Sequence, residues 1–142
     1  MSIDEIYDLF TWDASYTDEE YAEREKKGIE EAGKLKNLYP FIQPIIVPPD
    51  KSKSVWEPCA KVLALRSDEE LKPFLCLLFE WLQDMNWPGA DIIFSRLMEM
   101  PVSYIESELR FSIWRAEKTK DKIWQMGLTD FEKRRKSSDT GR

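Results

Sequence analysis

At four of the helix starts expected in this chain a serine or threonine stands three residues ahead of a glutamate. The pairs are Ser2 with Glu5, Thr17 with Glu20, Ser67 with Glu70 and Thr129 with Glu132. At that spacing the hydroxyl accepts from an early helix amide while the carboxylate reaches back to the cap residue's own amide. Two of the donors that a helix start leaves unpaired are then met locally. No run shows the apolar–polar alternation of a half-buried strand. The expected fold is therefore all-α, built from short antiparallel helix pairs in a layered stack.

Prolines and periodicity set the expected bounds. A first long helix is predicted over 18–38, with Tyr21, Gly28, Ile29, Ala32, Leu35 and Tyr39 on one stripe. Pro40, Pro44, Pro48 and Pro49 then forbid a continuous helix, leaving room for one helical turn over 41–46. The next helix is predicted from Val55 or Trp56 to Leu65. A central helix over 68–85 has Leu71, Phe74, Leu75, Leu78, Phe79, Leu82 and Met85 on a wide apolar arc, with Pro73 either bending it or splitting off a short first turn capped by Ser67. After it, Asn86 or Trp87 is expected to cap a helix that has Pro88 in its first turn and ends at Met100-Pro101. Residues 102–116 should bury Ile105, Leu109, Ile113 and Trp114. A last helix should carry Ile123, Trp124 and Leu128 through Phe131. One helical domain, 1–132, is followed in this reading by a basic, flexible tail, 133–142, containing Lys133, Arg134, Arg135 and Lys136.

Charge is unevenly spread. The net charge is −6, yet residues 1–33 alone hold eleven acids against Arg24, Lys26 and Lys27. A broad basic face for duplex nucleic acid is missing, so no specific nucleic-acid partner is expected. No run of apolar residues reaches membrane-spanning length, and the start "MSIDEIYDLF" lacks the basic-then-apolar order of a secretory signal. The expected location is the cytoplasm, with Cys59 and Cys76 as reduced, buried thiols.

The chain contains no histidine, which removes histidine-based acid–base and nucleophilic catalysis and any imidazole metal site. There is no glycine-rich phosphate loop. No catalytic residue, metal site or cofactor is assigned. Carboxylate chemistry stays open through Glu80, Asp84 and Asp91, of which the first two share a helix face at four-residue spacing. The six tryptophans supply large packing surfaces and, where exposed, interface anchors. Trp12, Asp13, Tyr16, Glu19 and Glu20 form an acidic–aromatic segment, and Asp84 and Trp87 flank a tight Asn-Trp-Pro step. These seven residues are the partner-binding candidates. Each also has a plain structural reading, as a packing ring, a cap or solvated surface.

The segment 51–100 resembles a bacterial family of small HEAT-like helical domains. The resemblance is carried by "DEELKPFLCLLFEWLQDMNWPGA" at 68–90, with its acidic start, Pro73 entry and Asn86-Trp87-Pro88 turn. It implies architecture and transfers no catalytic residue. Small acidic domains of similar appearance act as immunity proteins against bacterial toxins, which by analogy suggests a basic toxin as one kind of partner. The leading expectation is a non-enzymatic protein-binding module. A structural or assembly component and a carboxylate-dependent enzyme are the alternatives.

Overall fold

The computed structural model of the chain describes residues 1–43 and 53–140, with side chains described through residue 137. Eight α-helices and no strand occur among the described residues: α1 (Ile3–Phe10), α2 (Asp18–Ala32), α3 (Trp56–Ala64), α4 (Asp68–Leu71), α5 (Leu75–Glu80), α6 (Ala90–Met98), α7 (Val102–Lys118) and α8 (Lys122–Thr140). Short 3-10 turns cover Tyr39–Phe41, Lys53–Val55, Lys72–Phe74 and Trp81–Gln83. Residues 44–46 of the turn expected over 41–46 lie outside the described residues. No described helix is long and apolar enough to cross a membrane.

Three of the four capping pairs form. Ser2, Thr17 and Ser67 start α1, α2 and α4, each with its glutamate answering the cap amide. Thr129 does not cap anything, because it lies inside α8. The start of α8 is held by Asp121, whose carboxylate accepts the Trp124 amide at 3.0 Å. α8 then runs through Lys133–Lys136 rather than stopping at Phe131. Arg135 gives that stretch an anchor by donating to the carbonyls of Met98 and Met100 at 2.5 and 2.8 Å.

The helix expected over 18–38 ends early, at Ala32. Arg66 donates to the carbonyls of Ala32 and Leu35, at 2.9 and 2.6 Å, and so satisfies acceptors beyond the helix end. The segment expected over 68–85 is split at Pro73, one of the two expected outcomes, into α4, a 3-10 turn and α5, and ends earlier than expected in the Trp81–Gln83 turn. A proline removes an amide donor and crowds the preceding turn, which explains the break.

Packing passes from neighbour to neighbour: α1 on α2, α2 on α3, α3 on α6, α5 on α7, and α7 on α8. Gly28 lets α1 and α2 meet closely, since a Cβ there would fall 2.4 Å from the Phe10 ring. Phe131 from α8 lies edge-on between Phe79 and Phe94, with centroids at 5.4 and 5.2 Å. Trp81 is fully buried and Trp124 nearly so. Their indole N–H groups donate to the carbonyls of Pro88 and Phe79, both at 3.1 Å. Each ring thus contributes apolar area without stranding its polar atom.

Several expected core residues sit elsewhere. Trp114, Ile123 and Met85 are exposed, while Ile105, Leu109, Trp124 and Leu128 are buried as expected. α7 carries apolar residues on two faces, and only the Ile105–Leu109–Ser112–Ala116 face is buried. Cys59 is buried and burial pushes its thiol well up, whereas Cys76 is only half-buried.

Candidate functional site

The Asn-Trp-Pro step is a built turn. The Asp84 carboxylate accepts the Asn86 amide at 2.8 Å, and its carbonyl accepts the Trp87 amide at 3.0 Å. Trp87 turns inward and meets the Trp56 ring edge-on at 5.7 Å. Neither Asn86 nor Trp87 caps the next helix as expected. Instead α6 begins at Ala90 after Gly89, which has φ +84°, and Pro88 lies ahead of the helix. A left-handed backbone is cheap only for glycine, and a Cβ at Gly89 would meet the Ala60 methyl at 2.7 Å. The residues of this turn are therefore engaged in joining two helices.

The three carboxylates weighed for catalysis do not converge. The Glu80 side chain is 7% exposed and pairs with Arg115 of α7 at 2.5 Å. Arg115 also lies over the Trp124 ring, 5.4 Å from its centroid. Asp84 closes the turn, and Asp91 sits exposed in the first turn of α6. Among the described residues no group of three or more histidine, cysteine, aspartate or glutamate side chains is placed to hold a metal ion.

The amino-terminal candidates lie together around the α1–α2 connection. Trp12 is 56% exposed, and its amide donates to Ser54 at 3.2 Å. Asp13 accepts the Ser15 amide at 2.8 Å, and that bond holds its carboxyl below the usual range. Arg24 lies 4.7 Å from the Tyr16 ring centroid. Glu20 is taken up in the Thr17 cap, while Glu19 is exposed beside it. The link from this region to Trp87 runs through the Lys53–Val55 turn: Ser54 holds Trp12, and Trp56, two residues on, touches Trp87.

Beside Trp12 an open groove of about 510 Å³ runs along α2 toward α3. Tyr21, Ala22 and Ile29 form its apolar part, and Asp18, Glu25 and Glu30 line it with acid. Lys61 of α3 enters the groove and pairs with Glu25 at 2.6 Å. The Tyr21 hydroxyl donates to the Phe10 carbonyl at 2.8 Å, and burial raises its pKa. Sequence reasoning assigned Tyr21 and Ile29 to the core stripe of α2. Their spacing was legible, but not that the neighbouring helices leave part of that stripe open.

A second exposed aromatic feature was missed. Phe111 and Trp114 on α7 stack at 6.0 Å with their planes 16° apart, and Trp114 is 52% exposed. The basic run near the end of α8 is partly consumed in structure. Arg135 holds the two carbonyls named above, and Arg134 pairs with Asp130 and covers the Phe94 ring at 5.4 Å.

These features define an all-helical domain with an acidic, tryptophan-edged groove along α2. The chain belongs to the DUF5071 family, a domain of unknown function whose family model matches residues 46–139. That match takes in α3 through α8 and begins after α2. No curated protein and no solved structure matches the chain.

Proposed function

We propose that the chain is a non-enzymatic protein-binding module in which a HEAT-like stack of antiparallel helix pairs carries an acidic recognition face on α1 and α2. The neighbour-to-neighbour packing of the helices supports the stacked reading. The observation that carries the binding reading is Trp12, a large ring left 56% exposed beside an acid-lined groove. Exposed tryptophan bordered by polar groups is the residue type that dominates interface energetics. The eleven acids of residues 1–33 favour a basic partner and speed its encounter. Neutralisation of a basic toxin by occlusion is one form of this activity, in the cytoplasm of the producing cell.

The test is a pull-down from lysate of the source organism at moderate salt, with the full chain as bait. A Trp12→Ala/Glu19→Lys variant serves as control after its helix content and melting are checked. One stoichiometric basic protein, held by the parent and released by the variant, is the expected result. If that protein is an enzyme and the chain inhibits it, the immunity form follows. Retention of every captured protein by the variant would refute the acidic face as the recognition surface.

An assembly role is the second reading, favoured by the exposed Phe111–Trp114 stack on α7. It predicts a long-lived oligomer that Trp114→Ala dissociates in light scattering. The carboxylate-enzyme reading has the least support, since Glu80 is committed to Arg115 and Asp84 to its turn.

A further inference from the structure

We propose that the groove along α2 seats an amphipathic helix of the partner, about twelve residues long, with an apolar face bordered by lysine or arginine. The inference rests on the protein-binding reading above and names the chemistry of what binds.

The spacing of the groove residues comes first. From Asp18 the lining positions on α2 follow at +3, +4, +7, +8, +11 and +12, the pattern by which one helix packs on another. The inner face of α2, marked by Gly28 and Ala32, is already covered, with the Phe10 ring of α1 against Gly28. The stripe beside it is left open. From Asp18 to Glu30 it spans about 18 Å at 1.5 Å per residue, which fixes the length of helix that it can match.

Side-chain sizes along the stripe support a helical occupant. Ala22 is exposed and is the smallest residue lining the groove, a low point that can seat one large apolar side chain from a facing helix. Trp12 lines the same groove and offers its exposed ring as an anchor. A helix laid in such a groove binds through a few residues at i, i+3, i+4 and i+7.

Charge then selects the sign of the occupant's flanks. Lys61 is occupied by Glu25, leaving Lys26 as the groove cation against Asp18 and Glu30. Among the described residues neither of those acids is in a salt bridge. Outside the groove, Asp13, Glu19 and Glu23 extend the same sign. An acidic helix would meet repulsion on both sides, and a neutral one would leave the charge complementarity unused.

The test uses the full chain and three synthetic peptides of equal length. One is a leucine–lysine amphipathic helix, one a leucine–glutamate helix of the same pattern, and one the leucine–lysine composition scrambled to destroy the apolar face. Calorimetry is read alongside the Trp12 indole resonance, assigned with Trp12→Phe. The expected result is saturable one-to-one binding of the first peptide alone, with a shift of that resonance. Affinity should fall at least tenfold in Ala22→Phe, which fills the low point from an exposed position and leaves the charge unchanged.

Equal binding of the scrambled peptide, or full affinity in Ala22→Phe, would overturn the groove and leave only charge attraction. Self-association abolished by Ala22→Phe would make a second copy the occupant, and would overturn the proposal as well. A native partner that survives Ala22→Phe but is lost on Glu19→Lys/Glu23→Lys would overturn the groove while the binding-module reading stands. Absence of both peptide and native-partner binding would overturn both.

Discussion

Replacing Arg115 with methionine should unfold this domain well below the parent's temperature, and the reason lies in Glu80. That side chain is 7% exposed. One carboxylate oxygen accepts from Arg115 at 2.5 Å, and the other is buried with no hydrogen-bond partner among the described residues. Removing the guanidinium leaves a buried carboxylate with no compensating charge, a change that costs about 3–5 kcal/mol in a dry interior. Arg115 itself is 31% exposed, so water reaches part of the vacated space, and the expected loss is about 2–3 kcal/mol. Methionine keeps most of the apolar contact with Trp124 but not the cation over its ring. For a chain of this size the loss corresponds to a fall of roughly 6–9 °C in Tm. Urea unfolding followed by far-ultraviolet circular dichroism measures it. The companion variant, Glu80→Leu/Arg115→Met, removes both charges and should recover to within about 1 kcal/mol of the parent. A double variant no more stable than Arg115→Met would show that the arginine acts through packing and not through the carboxylate.

Further outcomes follow from single backbone and side-chain positions. Gly89→Ala should cost about 2–4 kcal/mol in urea unfolding, because the left-handed backbone disfavours a side chain and the new methyl meets Ala60 and Trp81. Lys120→Gly should stabilise by about 0.5–1 kcal/mol, since Lys120 follows the Thr119 cap of α7 with φ +57° and glycine holds that conformation without strain. Tyr7 donates to the Pro40 carbonyl, and burial pushes its hydroxyl up to about 12. The folded state therefore binds that proton more tightly than the unfolded state does. The resulting stability is complete below about pH 10, the ordinary tyrosine value, and is lost as pH rises to about 12. Tyr7→Phe should flatten the fall in chemical-denaturation stability across that window. An unchanged slope would remove Tyr7 as its source.

Helical class was legible because its signals are local. The caps at Ser2, Thr17 and Ser67 require residues only three apart, and so does the break at Pro73. Thr129 shows the limit of such a signal, for the same two residue types occur inside a helix whenever an earlier group such as Asp121 has already started it. Trp114 and Trp124 illustrate a second limit. Both stand in helices with apolar residues on two faces, and periodicity cannot choose which face meets the rest of the chain. Of the candidate site, residues 12–20 were found from composition, and the groove beside them was not. A groove depends on where α3 stops covering α2, which is a distance between elements far apart in sequence. Asp84 and Trp87 drew notice for their chemistry, and the turn uses that chemistry internally.

Three arginines have a shared consequence for how this domain comes apart. Arg66 holds carbonyls at and just beyond the end of α2, and Arg96 donates to the carbonyl of Arg66 itself, at 2.8 Å, and to Asp68. Arg135 does the same for the end of α6. Helix ends normally fray first, each at its own low free energy. Here the end of α2 cannot loosen without releasing a guanidinium whose own backbone is gripped from α6, and α6 is gripped in turn from α8. The helices α4 and α6, of four and nine residues and too short to persist alone, are thereby joined with α2 and α8 into one cooperative unit. Native-state hydrogen exchange should then report nearly the same opening free energy at the last turns of α2 and α6 as at their centres.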